Sequence, residues 1–299
     1  RLVRLLSPAG SFRPALAGCL LLVLPTVVLN GSYWGQCDSV YAALLLHALA
    51  DAMDRRPRRS VVLLALAFCF KLQAIFLVPL WCVFWYSGRV KFRHLFLFPL
   101  TCLVSIIPAL LLGKPLGDIL GIYLGQMEVN NALSFNAPSA YQLIPYGAPV
   151  DSDLAARVGI AAAFVLVLAL LGALYPLRKQ LDNGALLLAA LILAAGVPFL
   201  LPYMHDRYFF PADALALVWA CINLRRIPQA VFIQLASLSA YFTYFRMQYT
   251  LPLRLGSRIF PMGFEALLVL AMLACALFVL IRHLAVRRSG AGQTQFHSV

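Results

Sequence analysis

Long apolar runs separated by short polar segments set the pattern of the chain. Runs at Pro14 to Asn30, Val40 to Met53, Leu95 to Gly113, Val158 to Leu177, Gly184 to Leu200, Phe209 to Leu224, Ala230 to Met247 and Gly263 to Ile281 approach the length of a bilayer-crossing helix. None shows the period-2 alternation of a strand. The pattern predicts an all-α polytopic membrane protein with about seven full spans, since each span needs roughly 20 apolar residues. The longest polar segment, 114–157, reads as a long extracytoplasmic loop whose aromatics argue for order.

One run departs from this rhythm. Val61 to Tyr86 is interrupted by Lys71 and Gln73, and both of its flanks are basic: Arg55, Arg56, Arg58 and Arg59 before it, Arg89, Lys91 and Arg93 after it. A single straight span would put one positive loop on the wrong side. The pattern therefore predicts a pair of short or broken helices that dip in and return, breaking near Lys71. Irregular backbone at that depth survives only inside protein or beside a watery cavity, which makes Lys71 a cavity candidate. A lysine snorkelling from a helix end is the plainer alternative.

Composition narrows the class further. The chain is 63% hydrophobic and 12% charged with mean hydropathy +0.87, whereas a soluble domain carries about 25% charged residues. The formal charge of +13 is spread over short loops, forms no single stripe and so reads as a topology signal, not as a nucleic-acid surface. One topology puts the loops at Arg55 to Arg59, Arg89 to Arg93, Arg178-Lys179, Arg225-Arg226 and Arg282 to Arg288 in the cytoplasm. The amide-rich segments then lie on the extracytoplasmic face. Residues 1–288 form the membrane domain, and 289–299 read as a disordered cytoplasmic tail. Of the seven cysteines, Cys19, Cys69, Cys82, Cys102, Cys221 and Cys275 fall in apolar runs without metal-ligand spacing and are expected to be small core residues.

The outer face carries the chemistry. Leu201-Pro202-Tyr203-Met204-His205-Asp206-Arg207-Tyr208-Phe209-Phe210-Pro211 places three consecutive ionisable groups at a membrane boundary, rimmed by aromatics and bracketed by prolines. A polar turn between helices is the plainer alternative. Trp34-Gly35-Gln36-Cys37-Asp38, the amide-rich loop, and Arg254 with Arg258 share that face. Guanidinium suits phosphate through paired hydrogen bonds, and a carboxylate can take a proton from an attacking hydroxyl. Asp38 also suits a helix N-cap, and Arg207 an ion pair with Asp206 or Asp213. No metal-ligand set is evident and no cofactor is implied.

Trp34-Gly35-Gln36 with Asp38 leading into a helix, Lys71 with Gln73 ahead of Pro79, Gln126 with Asn136-Ala137-Pro138 and Tyr141, and Met204 to Phe210 are features in an ordered spacing across most of the chain. In them the sequence resembles the type C glycosyltransferases, polytopic enzymes that use polyprenyl-phosphate-linked sugars. The last segment resembles their His-Glu-Arg-Tyr-Phe turn, with Asp in place of Glu. In that family the acidic residue that acts as base usually lies in a first extracytoplasmic loop, ahead of the Trp-Gly-Gln motif. Here such a loop is absent, so either an N-terminal hairpin is missing or Asp38 has taken the role.

The resemblance implies a metal-independent, typically inverting hexosyltransferase that moves sugar from a polyprenyl-phosphate donor to the hydroxyl of an extracytoplasmic glycan or lipid. Its catalytic residues would be Asp38, His205 and Asp206. Its substrate-binding residues would be Trp34, Gln36, Lys71, Gln126, Asn136, Tyr141, Arg207, Tyr208 and Arg254. A transporter or flippase for lipid-linked sugars would use the same cavity without bond breaking. Leu-, Ala- and Arg-rich usage with little Lys points to a bacterial inner membrane.

Overall fold

The computed structural model of the chain describes residues 1–125, 132–145, 147–245 and 262–288. Gln126, Arg254, Arg258 and the tail 289–299 lie outside them. Helices dominate: α1 (Leu2–Leu6), α2 (Arg13–Val23), α3 (Pro25–Val28), α4 (Asp38–Met53), α5 (Pro57–Phe70), α6 (Pro79–Tyr86), α7 (Phe92–Leu95), α8 (Leu97–Leu111), α9 (Leu116–Gly125), α10 (Ser152–Leu174), α11 (Asn183–Leu200), α12 (Phe210–Ile222), α13 (Ile227–Tyr244) and α14 (Gly263–Arg288). Among the described residues the only strands are β1 (Ser134–Phe135) and β2 (Met204–His205), which pair in parallel.

Among the described residues, four helical stretches are long and apolar enough to cross a membrane: Phe92–Leu111, Ser152–Leu177, Asn183–Leu200 and Gly263–Arg288. A fifth is added if Arg13–Val23 and Pro25–Tyr33, bent by 48°, count as one. This is fewer than the seven full spans that the hydropathy pattern predicts. The runs at 40–53 and 209–224 fold into helices of only 16 and 13 residues, short of the roughly 20 that a bilayer demands. α13 reaches 18 residues but carries Gln229, Gln234, Ser237, Ser239 and Thr243 along its length.

α11 forms the centre. Its residues from Gly184 to Phe199 are buried on every face, consistent with a helix that is apolar all round. α8, equally apolar, has no buried residue and lies at the periphery. Of the six cysteines expected in the core, only Cys221 is buried, while Cys19, Cys82 and Cys275 are exposed. An apolar position can face lipid as readily as protein, so hydropathy does not decide between them.

The broken run at Lys71 folds as the pattern predicts. α4 and α5 form an antiparallel hairpin, tied where Ser60 Oγ donates to the Ala48 carbonyl at 2.8 Å. α5 ends at Phe70, Lys71 is extended (φ −152°, ψ 131°), a 3-10 turn spans Leu72–Leu77, and Pro79 opens α6. Proline at the first helical position lacks an amide that would have no intrahelical partner there. Beyond α6, Arg89 donates to the carbonyls of Met53 (3.1 Å) and Leu181 (2.8 Å) and to Asn183. Both ends of the segment thus meet the C-terminus of α4 and the start of α11, with Lys71 at the far tip.

That basic end is stitched by charge. Arg287 and His283 of α14 reach Asp182, whose carboxylate also caps α11 through the Ala185 amide at 2.8 Å, and Arg1 pairs with Asp51 and Asp54. Burial raises the Asp182 carboxyl, but the bonds from His283 and the Ala185 amide and the charge of Arg287 outweigh it and leave it below its ordinary range. The opposite end, at the N-terminus of α4 and the C-terminus of α11, holds Asp38 and His205.

Candidate functional site

The site begins with Asp38 in the first turn of α4. Its side chain caps no amide. One carboxylate oxygen accepts from the ammonium of Lys71, and the other accepts from Asn30 Nδ2 at 2.8 Å. Asn30 is fully buried in a π-helical turn at Leu29–Tyr33 and also contacts the Tyr241 hydroxyl at 3.4 Å. The Asp38 side chain is 1% exposed and that of Lys71 15%. The extended backbone at Lys71, forced by the break in the α5–α6 run, delivers the ammonium to this carboxylate and to the cleft beyond it. Lys71 is therefore held by a buried partner at the bundle's inner tip and does not snorkel to a surface.

The turn between α11 and α12 forms the facing wall. Tyr203 is in the left-handed region (φ 64°) and so is Asn136 (φ 53°), conformations unusual for residues other than glycine that cluster where structure is constrained for a purpose. Between them the loop strand and the turn strand pair as Ser134 with Met204 and Phe135 with His205, and the Tyr203 amide donates to the Leu133 carbonyl at 2.9 Å. Phe135 stacks on the His205 imidazole with centroids 4.9 Å apart, and Tyr208 flanks its ring at 5.3 Å. The polar loop thus fixes the imidazole plane.

Arg207 makes no ion pair among the described residues. Its guanidinium lies over the Trp34 ring at 5.4 Å, and its buried Nε is unpartnered. Trp34 is wedged against Tyr241, Tyr244 and Phe245. Asp206 binds the Arg207 backbone amide at 2.8 Å, not the guanidinium, and Asp213 accepts from Ser237 Oγ at 2.9 Å inside the bundle. Neither predicted ion pair forms, and the guanidinium keeps its hydrogen-bonding capacity for another group.

A cleft of about 640 Å³ opens between these walls. Lys71, Gln73, His205, Arg207 and Tyr208 line its polar side, and Ile106, Ala109, Ile119 and Ile122 of α8 and α9 line its apolar side, with Ser105 among them. Asp38 and Asp206 stand behind the polar wall and do not line the cleft. Burial pushes the Asp206 carboxyl up to about 7; the Arg207 amide and guanidinium oppose the rise and the Asp38 charge adds to it. Burial, with the positive charges of Arg207 and Lys71, lowers the His205 imidazole. It is therefore neutral at pH 7 and able to accept a proton. Burial also raises the Tyr208 hydroxyl, which remains a donor.

The structure brings Trp34, Asp38, Lys71, His205, Asp206, Arg207 and Tyr208 into one neighbourhood, with Asn136 bridged to His205 through the backbone. Tyr141 serves elsewhere, its hydroxyl donating to the Leu200 carbonyl at 3.0 Å. Gln36 is half-buried and its amide hydrogen joins the Asn30 carbonyl at 3.0 Å, a backbone role. Gln126 and Arg254 fall outside the described residues. Sequence reasoning missed Asn30, Phe135 and Tyr241. Asn30 carries a signal, since an amide in an otherwise apolar run demands a partner. Phe135 and Tyr241 carry none. Among the described residues no group of three or more His, Cys, Asp or Glu is placed to hold a metal ion. No protein-family model matches the chain, and no curated protein matches it.

Proposed function

We propose that the chain is an integral-membrane glycosyltransferase that moves a hexose from a polyprenyl-phosphate-linked donor to the hydroxyl of a glycan or lipid acceptor on the extracytoplasmic face of a bacterial inner membrane. The single observation that carries this reading is the cleft, in which two cations, a neutral imidazole and a phenol face a wall of isoleucines. A molecule with an anionic head and a long apolar tail satisfies both sides at once, and a guanidinium that has no ion pair among the described residues is the group best fitted to bind phosphate oxygens.

In the proposed reaction His205 Nε2 or Nδ1 takes the proton of the acceptor hydroxyl. The hydroxyl oxygen attacks the anomeric carbon, the bond from that carbon to the phosphate oxygen breaks, and the lipid phosphate leaves with the electron pair. Arg207 and Lys71 hold the charge that develops on the phosphate, a preorganised arrangement that lowers the barrier without reorganisation cost. Asp38, engaged by Lys71 and Asn30, acts as a positioning residue. Asp206 fixes the turn through the Arg207 amide.

Purified protein given a polyprenyl-phosphate hexose and a hydroxyl acceptor should release polyprenyl phosphate stoichiometrically with product. Arg207→Ala should lower the rate about 100-fold or more, the cost of removing a principal charge-stabilising donor. The break at Lys71 beside a cleft also fits a transporter of lipid-linked sugars. Movement of intact donor across proteoliposomes, with no polyprenyl phosphate released, would favour that reading and reject the transferase.

A further inference from the structure

The polar wall of the cleft holds an acceptor that the proposed reaction does not use. Lys71 and Arg207 carry donors alone, and His205 is committed to the proton of the attacking hydroxyl. Gln73, in the 3-10 turn Leu72–Leu77, lines the same wall. Three buried residues of that turn, Ala74, Phe76 and Leu77, hold it in the bundle. Phe76 packs against the Tyr208 ring with centroids 6.4 Å apart, which brings the turn beside the phenol. The Gln73 amide nitrogen donates to the Tyr208 hydroxyl oxygen, while its Oε1 is buried without a partner among the described residues. The carboxamide is thus fixed at its donor end and unsatisfied at its acceptor end.

A buried acceptor without a donor costs free energy, which a ligand that brings the donor recovers. Ionised phosphate cannot do so, because its oxygens only accept. Tyr208, its oxygen occupied by the amide, still has its own proton to give. Together the two side chains present one acceptor and one donor, the complement of an alcohol, which gives one proton and accepts another. The polar wall therefore divides its work: cations suit an anion, and the amide with the phenol suits a hydroxyl. We infer that Gln73 and Tyr208 form a subsite that reads a hydroxyl of the sugar on the lipid-linked donor, with Gln73 as the specificity-determining residue. This subsite rests on the donor proposed above and makes a hydroxyl a requirement beside the phosphate and the tail. A site built to hydrogen-bond a hydroxyl rejects the analogue that lacks it, since its own polar groups are then left unpaired.

Detergent-solubilised full chain, titrated with polyprenyl phosphate or with polyprenyl-phosphate hexose, is read by native mass spectrometry. The glycosylated lipid should be retained about three- to tenfold more tightly, the equivalent of one or two hydrogen bonds. Gln73→Met substitutes a side chain of similar length that lacks the amide. In it the preference should fall to within about twofold, with retention of bare polyprenyl phosphate unchanged. Tyr208→Phe keeps the ring beside His205, removes the donor half and should narrow the preference in the same way, so it carries the test if Gln73→Met fails to fold. A preference of wild-type size in these variants, or none in the wild type, would overturn the subsite and leave the phosphate-binding cleft standing. Retention of neither lipid would instead overturn the lipid-linked donor, and the subsite with it.

Discussion

Lys71, in the break between α5 and α6, donates to the carboxylate of Asp38 in the first turn of α4, 33 residues earlier in the chain. The pair joins the tip of the returning segment to the helix it packs against. It also keeps an ammonium at the edge of the cleft while its counter-charge stays out of the way. Buried charges persist only when paired and hydrogen-bonded, and here Asn30 completes the set.

Removing one member of this pair should cost far more than removing both. Lys71→Met leaves the Asp38 carboxylate uncompensated and should lower stability by about 3–5 kcal/mol, the range for breaking a buried pair. Lys71→Met with Asp38→Asn should regain a large part of that loss. Thermal unfolding in detergent checks both, and a double variant no more stable than the single would show that the pair is not a unit.

The pH dependence of stability should carry the signature of Asp206. Its carboxyl titrates near 7 in the folded chain and near its ordinary acidic value when unfolded. Between those two values the folded state binds more protons than the unfolded one, so stability is highest at the acidic end and declines as pH rises toward 7. Asp206→Asn should flatten the slope of melting temperature against pH between about 4 and 7. An unchanged slope would reject the assignment.

Activity should have an acid limb that belongs to His205. Because its imidazole is lowered from the ordinary value, the rate should rise with pH below about 6.5 and level off near neutrality. In His205→Gln the limb should vanish along with most of the rate. A limb that survives in this variant would place the base elsewhere.

Trp34 supports Arg207 through its ring face. Trp34→Leu should weaken donor binding about two- to fivefold, the equivalent of an exposed or half-buried cation–π contact, seen as a raised KM with kcat little changed. A purely structural Trp34 would lower the melting temperature without moving KM.

Gly159 on α10 is the most tightly enclosed of the described glycines. A Cβ there would strike the Tyr141 hydroxyl and the Leu200 carbonyl. Gly159→Ala should cost about 1–3 kcal/mol through overpacking. Tyr141→Phe in the same chain should relieve part of it, because the hydroxyl yields and the backbone oxygen does not.

The sequence by itself determined the class of this protein and one unusual element of its architecture. Hydropathy is a local property, so helices and their apolar character follow from runs such as Asn183–Leu200, and a lysine flanked by basic loops sufficed to place the break at Lys71. The grouping of Trp34, Asp38 and the His205 turn was also legible as shared membership of one face, because alternation of basic loops sorts segments by end, while Lys71 was legible only as a cavity candidate at a break in its run. The number of full-length spans was not, since where a helix stops depends on breaks and packing that hydropathy averages over. Nor was the division of apolar residues between core and lipid: Leu103 and Leu186 are identical to any transfer scale, yet the first is exposed and the second buried, and only neighbours separate them. Tertiary structure alone decided that Asp38 faces Lys71 and Asn30 instead of the cleft, that Phe135 holds the His205 ring, and that Arg207 is left without an ion pair among the described residues. The Asp38–Lys71 and Phe135–His205 contacts join segments 33 and about 70 residues apart, and such contacts are fixed by how helices pack, which no local pattern encodes.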